Sequence, residues 1–320
     1  MAKYLVTGGA GFIGSNLTHK ILANGDSARV LDNLSTGRLE NLEDAKGDFE
    51  FINGDICDLS TVMQAAEGVD YILHQAALPS VQRSVENPLA SNENNVNGTL
   101  NVLMAAREYN VKRYVMASSS SVYGNTPTLP KVESMPTMPL SPYAVSKLAA
   151  ERYAMSFHTV YGVPTVAFRY FNVFGPRQDP NSHYAAVIPL FINALLNHES
   201  PIVHGDGEQS RDFTFIDNVV YGNLLACESD AASGNAMNLA CGDRITLNEL
   251  LEKLENIIGV KANAKYVDNR KGDVKHSQAG IELARKLMKF EPQVLFDEGL
   301  QKTVEYYQSL MHSAKVEAVA

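Results

Sequence analysis

The sequence predicts an α/β fold: a doubly wound parallel sheet with a smaller α/β lobe beside it. Three observations carry this reading. Through the first 170 residues, short apolar runs alternate with amphipathic ones, as strands do when each is followed by a covering helix. A glycine series directly follows the first apolar run. Beyond about residue 170 the rhythm breaks, and Pro and Gly crowd 175–207.

The elements follow in order. Residues 4–6 form the first strand and 13–22 the first helix. Strands at 28–31, 50–52 and 71–73 come next, the second ending at Asp32. Residues 90–109 read as one long helix, with Val96, Leu100, Leu103 and Met104 near one face. A fifth strand at 113–117, a helix at 142–161 and a sixth strand at 165–168 complete the regular part. Residues 213–225 and 236–239 are expected to rejoin the sheet, while 247–258 and 296–310 read as surface-packed helices. The larger domain would take 1–174 plus about 213–239. The smaller lobe would take about 175–212 and 240–320, consistent with a 320-residue chain.

Composition narrows the function. Hydrophobic residues make up 45% of the chain, enough for a sizeable core. A net charge of −9 argues against a nucleic-acid binder, which needs a basic face. Three scattered cysteines without a CxxC pair point to neither a disulfide framework nor a metal site, and fit a reducing cytoplasm. The opening residues lack the pattern of a signal peptide. The longest apolar stretch, Val187 to Leu196, contains Pro189 and Asn193 and falls short of the ~20 residues a membrane span needs.

Thr7-Gly8-Gly9-Ala10-Gly11-Phe12-Ile13-Gly14 joins the first strand to the first helix. Glycines at 8, 11 and 14 suit a tight turn whose bare backbone, with that of Phe12 and Ile13, approaches a pyrophosphate at the helix N-terminus. Asp32, at the next strand end, is placed to accept hydrogen bonds from a ribose diol. Its charge repels a 2′-phosphate, so NAD is favoured over NADP, although Arg38 lies nearby. Asp55 and Ile56 follow the third strand and are placed to meet the adenine. Gln75, Ala76 and Ala77 follow the fourth, where a cofactor lies against backbone. This is the dinucleotide site of a Rossmann-type fold.

Tyr143 and Lys147 stand four apart and share one helix face. A phenol titrating near pH ~10 is a poor base, but a neighbouring ammonium and a positive nicotinamide ring favour phenolate. Ser118-Ser119-Ser120-Ser121 leaves the fifth strand at the carboxyl edge, where such folds bind ligands. A hydroxyl there can share a proton with Tyr143 and hold a substrate oxygen.

Taken together, Thr-Gly-Gly-Ala-Gly-Phe-Ile-Gly, the 32–37 segment Asp-Asn-Leu-Ser-Thr-Gly, Ser-Ser-Ser-Ser-Val-Tyr-Gly and Ser-Pro-Tyr-Ala-Val-Ser-Lys resemble the extended short-chain dehydrogenase/reductase superfamily. Within it, the chain is most similar to the NAD-dependent nucleotide-sugar 4-epimerases, from Lys3 to about Leu310. The resemblance makes Ser119, Tyr143 and Lys147 the catalytic set. It adds Asn33, Ser35, Thr36, Gly37 and Tyr170 to the cofactor contacts. The related dehydratases carry an Asp-Glu pair after the catalytic Thr, where this chain has Ser120 and Ser121; the related decarboxylases place a Glu in this loop, and it is missing here. Both departures point to epimerisation.

The resemblance also implies the substrate lobe. Asn172 would contact diphosphate or sugar, and Ala186 and Val187 the uracil; Ser120, Ser121 and His204 join the substrate contacts. Arg211 would grip the diphosphate, with Arg270 and Asp273 as a second clamp; such Arg forks let an acidic protein hold a doubly negative nucleotide. Ser277 falls where epimerases restricted to plain sugars resemble one another in carrying Tyr, and Ser80 matches a sugar-contacting Ser. These imply UDP-N-acetylglucosamine and UDP-N-acetylgalactosamine as the substrate pair. UDP-glucose, a UDP-uronate, a 4,6-dehydratase reaction and a non-catalytic NAD sensor are the alternatives. The family further implies a homodimer formed through the 90–109 and 142–161 helices.

Overall fold

Alternating apolar side chains bury both faces of a strand, which places that strand inside a layered sheet. The computed structural model describes residues 1–180, 182, 185–268 and 274–317. Six strands come first: β1 (Lys3–Thr7), β2 (Ser27–Asp32), β3 (Phe49–Asn53), β4 (Tyr71–His74), β5 (Arg113–Ser119) and β6 (Thr165–Tyr170). Short strands β7 (Val173–Phe174), β8 (Ile202–His204), β9 (Ser210–Arg211) and β10 (Thr214–Phe215) follow. Then come β11 (Asn235–Leu239), β12 (Ile245–Thr246) and β13 (Lys265–Val267).

The main sheet runs β11-β6-β5-β4-β1-β2-β3, and every neighbouring pair is parallel. The chain moves outward from β1 to β3 and then lays β4 on the other side of β1. That reversal opens a crevice beyond the carboxyl ends of β1 and β4. The short strands pair among themselves as β7 with β10, β8 with β13, and β9 with β12.

The helices are α1 (Phe12–Ala23), α2 (Leu59–Ala66), α3 (Val81–Glu86), α4 (Pro88–Asn92), α5 (Thr99–Glu108), α6 (Pro142–Tyr161), α7 (Val187–Leu196), α8 (Ile216–Glu228), α9 (Leu247–Ile258), α10 (Glu282–Met288) and α11 (Phe296–Glu317). On one sheet face Val6, Val115, Val166 and Phe168 pack with Leu17 and Ile21 of α1 and Val219 of α8. On the other, Leu5, Ile72, Met116 and Ala167 meet Val62 of α2, Val102 and Leu103 of α5, and Ala150 and Ala154 of α6. None of the described helices is long and apolar enough to cross a membrane.

Local chemistry sets the helix that matters most. Ser141 caps α6 by accepting from the Ala144 N–H at 3.1 Å, and Pro142 occupies the first turn. Gly162, at φ 72°, ends it in the left-handed conformation.

Two expectations are corrected. Residues 213–225 do not rejoin the sheet, although 236–239 do, as part of β11. Thr214 and Phe215 pair with β7 instead, and the rest becomes α8. Its buried Ile216, Val219, Val220 and Asn223 recur at helical spacing, which outweighs their strand propensity. Nor is 90–109 one regular helix: Glu93–Gly98 is π-helical between α4 and α5. Within α5, Leu103 is buried while Met104, one position on, is exposed.

Candidate active site

The glycine turn is built by exclusion. Gly8 has φ +66°, and a Cβ there would lie 2.7 Å from the Ala76 backbone. A Cβ on Gly14 would lie 2.1 Å from the Gly8 carbonyl oxygen, so α1 starts hard against the turn. Its N-cap, Gly11, offers no side-chain hydrogen bond, leaving the first N–H groups directed at an anion. Gly8, Gly11, Phe12, Ile13 and Gly14 line a cleft of about 410 Å³ in the sheet crevice.

Asp32 stands at the end of β2. Its Oδ2 accepts from the Ala10 N–H at 3.0 Å and its Oδ1 from the Leu34 N–H at 2.8 Å, while burial raises its pKa. Asp32, Asn33, Ser35, Thr36, Ile56, Gln75, Ala76 and Ala77 all line the cleft. Gly37 and Asp55 do not. Gly37 packs behind Asp32, where a Cβ would lie 2.8 Å from its carboxylate. Asp55 accepts from the Asn33 amide at 2.9 Å. Arg38 pairs with Asp179 at 2.7 Å, an acid 141 residues away.

Tyr143 and Lys147 project from α6 into the same cleft, beside Ser119 and Ser120 at the end of β5. Ser119 hydrogen-bonds the Tyr143 hydroxyl. Its oxygen accepts from the Ser121 hydroxyl at 2.9 Å and the Ser121 N–H at 3.2 Å, which leaves the Ser119 proton for Tyr143. Ser121 thus orients Ser119 and does not itself line the cleft. The expected lowering of the phenol pKa is not what the protein alone provides. Burial raises Tyr143, and only the Ser119 bond opposes it; burial pushes Lys147 down to about 8.

Tyr170, also lining the cleft, donates to Gln75 at 3.2 Å or Asn223 at 3.1 Å. Sequence reasoning missed Leu78, Pro79 and Asn94, which line the cleft, and Asn95, which supports it. The Asn95 amide accepts from the Leu78 N–H at 2.8 Å and donates to Ser146 on α6 at 3.0 Å. Leu78 and Pro79 were within reach, since they continue the 75–77 strand exit. Asn95 carried no spacing signal, because the π turn is what aims it.

A second cleft, about 280 Å³, adjoins the first at Asn172 and Val173, which line both. Ala186, Val187, His204 and Arg211 line it with Phe174, Leu190, Phe191, Gln209 and Phe213. Asn172 donates to the Asp212 carbonyl at 3.1 Å. Ser80 and Ser277 line neither cleft. Ser80 caps α3 by accepting from the Arg83 N–H at 3.3 Å, and the Ser277 N–H donates to the Ser210 carbonyl at 3.0 Å, next to Arg211. Arg270 and Asp273 lie outside the described residues.

Residues 4–240 match the family described as NAD dependent epimerase/dehydratase. The chain belongs to that family. A putative UDP-glucose 4-epimerase of Methanocaldococcus jannaschii is 38% identical over 307 residues, covering 95% of this chain and 98% of the relative. A UDP-glucuronate 4-epimerase of Thermodesulfobacterium geofontis is 35% identical over 331 residues, covering 99% and 100%. The solved UDP-N-acetylglucosamine 4-epimerase of Methanobrevibacter ruminantium M1, in complex with UDP-N-acetylmuramic acid, is 42% identical. It aligns with a TM-score of 0.92 over 97% of this chain and 99% of that one. As a member of the epimerase family, the chain is an extended short-chain dehydrogenase/reductase, a carbohydrate isomerase that uses NAD. The cleft fits that cofactor: a glycine cradle and an uncapped helix end suit the pyrophosphate, and the Asp32 carboxylate suits an unphosphorylated ribose.

Proposed function

We propose that the chain is a UDP-hexose 4-epimerase whose preferred pair is UDP-N-acetylglucosamine and UDP-N-acetylgalactosamine. The meeting of two clefts at Asn172 and Val173 carries this reading. Ser119, Tyr143 and Lys147 stand in one, and Arg211 with an aromatic wall in the other. A dinucleotide in the first and a nucleotide in the second leave the sugar between them, against Tyr143.

Bound NAD supplies a hydride acceptor when oxidised and a hydride donor when reduced. Tyr143 takes the proton of the sugar 4-hydroxyl and returns it after the sugar has presented its other face. Ser119 holds the same oxygen. Lys147 would hold the cofactor ribose, while the Ser119 bond and the charge of bound NAD favour the phenolate. Asn172 and Arg211 anchor the diphosphate, while Ala186, Val187 and His204 contact the nucleoside end. A firm anchor beside a permissive sugar space allows the turn between half-reactions. Ser120 and Ser121 offer no carboxylic acid for eliminating water. The small side chains of Ser277, whose N–H meets the Ser210 carbonyl beside Arg211, and of Ser80 support the acetamido sugar. The larger domain (1–174 with 213–239) would hold NAD, and the remaining lobe the UDP-sugar.

Likeness to the Thermodesulfobacterium enzyme keeps a uronate as the second reading. Side-by-side assay of UDP-glucose, UDP-N-acetylglucosamine and their uronates by NMR decides between them. Fastest turnover of the acetylated sugar is expected. Faster turnover of glucose or a uronate would transfer the assignment, and an accumulating keto sugar would mark a dehydratase.

A homodimer through the 90–109 and 142–161 helices is part of the reading. Met104, Val145, Tyr153, Val160 and Tyr161 are exposed on them, and exposed apolar side chains of this kind suit a second copy. Light scattering should give twice the chain mass, and Val145→Glu with Val160→Glu should halve it.

A further inference from the structure

A buried ion pair that the reaction does not use lies beneath Tyr143 and Lys147. Glu151 and Arg169 are 0% and 2% exposed. Arg169 Nε donates to Glu151 Oε2 at 2.9 Å and Nη2 donates to Oε1 at 2.7 Å, a two-pronged fork. The Ser118 hydroxyl donates to the same Oε2 at 2.7 Å. Ser118 and Arg169 sit directly opposite each other in the β5–β6 register. One carboxylate from α6 therefore bridges a cross-strand pair. The next residues along those strands are Ser119 and Tyr170, which line the cofactor cleft.

The placement is specific. Tyr143, Lys147 and Glu151 follow at intervals of four and so share one face of α6. Below them that helix meets the sheet through Ala150, Ala154 and Phe157, all buried, and the Thr165 hydroxyl donates to the Ala154 carbonyl at 2.9 Å. Alanines interlock weakly, so a polar contact of fixed geometry nearer the reacting groups adds resistance to sliding and turning. A fork that also accepts from Ser118 has one geometry and resists both motions. A buried ion pair is weak evidence for stability, since packed apolar groups often do as well. Its better-attested use is to specify one arrangement, and here the arrangement specified is that of the reacting groups.

The clamp does not end there. Arg169 Nη1 donates to the Tyr123 hydroxyl at 2.8 Å, and Tyr123 donates to Asn238 Oδ1 at 2.7 Å. The Asn238 amide donates to the carbonyls of Lys131 and Gly280, both at 2.9 Å. Hydrogen bonds thus run unbroken from the Tyr143 helix across β6 and β11 to the segment that follows Ser277.

We propose that Glu151 is a positioning residue: held by Ser118 and Arg169, it fixes the height and rotation of α6 so that the Tyr143 hydroxyl stays on Ser119 through both half-reactions. This rests on Tyr143 as the acid–base group. Its test uses Glu151→Gln and Ser118→Ala in the full-length protein. A misplacement on the ångström scale costs ~100-fold in rate, so Glu151→Gln should lose about 100-fold in kcat. Ser118→Ala, which removes one bond to the carboxylate, should lose about tenfold. KM for the UDP-sugar should move less than about threefold in both, because diphosphate contacts are untouched. The Tyr143 phenol, followed by ultraviolet absorbance against a Tyr143→Phe control, should titrate at higher pH as the Ser119 bond weakens. A merely structural role would lower melting temperature and leave the phenol titration of the folded fraction unchanged. Wild-type kcat and phenol titration in folded Ser118→Ala overturn the proposal, whether or not Glu151→Gln folds. Absence of epimerase turnover in the wild type would instead sink the functional reading, because the phenol titration is read without turnover.

Discussion

Tyr143 and Lys147 stand one helical turn apart in the same cleft, and burial drives both toward their neutral forms. The phenol is raised and the ammonium pushed down to about 8. A pair so placed is not an active base by itself. Tyr143 would gain its base strength once oxidised NAD is held in the cleft, because a positive charge there would favour the phenolate.

Replacing the phenol isolates that role. Tyr143→Phe should lower kcat by about 10²–10⁴-fold, the usual worth of a positioned acid–base group. UDP-sugar affinity by calorimetry should stay within a fewfold. A variant with unchanged turnover would remove Tyr143 from the reaction.

Lys147 makes stability depend on pH. In the fold it titrates near 8, whereas in the unfolded chain it keeps its proton to about 10.5. Between those values the unfolded state binds more protons, so stability rises with pH across that window. The size is about 3 kcal/mol by the linkage of pKa to free energy. The stability of NAD-free wild type relative to Lys147→Met should therefore rise with pH between about 8 and 10.5 and level off above it. Parallel denaturant midpoints would contradict the buried ammonium.

The glycine turn tolerates no methyl group. Gly14→Ala places a carbon 2.1 Å from the Gly8 carbonyl oxygen and 2.7 Å from the Gly9 Cα. Both neighbours are backbone and cannot move aside cheaply. A loss of about 1–3 kcal/mol in stability and loss of co-purifying NAD are expected, read by melting temperature and absorbance.

Two acids are expected to set the preference at the ribose end. Asp32 faces the cleft, and Asp179 holds Arg38, a group otherwise suited to a 2′-phosphate. Asp32→Ala with Asp179→Asn should raise the NADP-to-NAD ratio of reconstituted activity by at least about tenfold, roughly one charge-assisted hydrogen bond. An unchanged ratio would place the selectivity elsewhere.

Much of this site was legible along the chain because its signals are local. Glycine spacing, the Asp32 strand end and the four-residue step from Tyr143 to Lys147 each span a few residues. Over that distance, backbone period alone decides which groups share a face. The alternating strands were legible for the same reason, and the parallel sheet followed. Three-dimensional packing alone decided which distant groups meet. Arg38 with Asp179, Ser118 with Glu151 and Arg169, and Asn95 with Leu78 depend on strand register and helix rotation, which no short window encodes. Residues 216–225 became a helix because burial against the sheet outweighed propensity. Ser121 turned toward Ser119 and away from the cleft lining, and burial, a property of the whole fold, raises the Tyr143 phenol in the chain without cofactor.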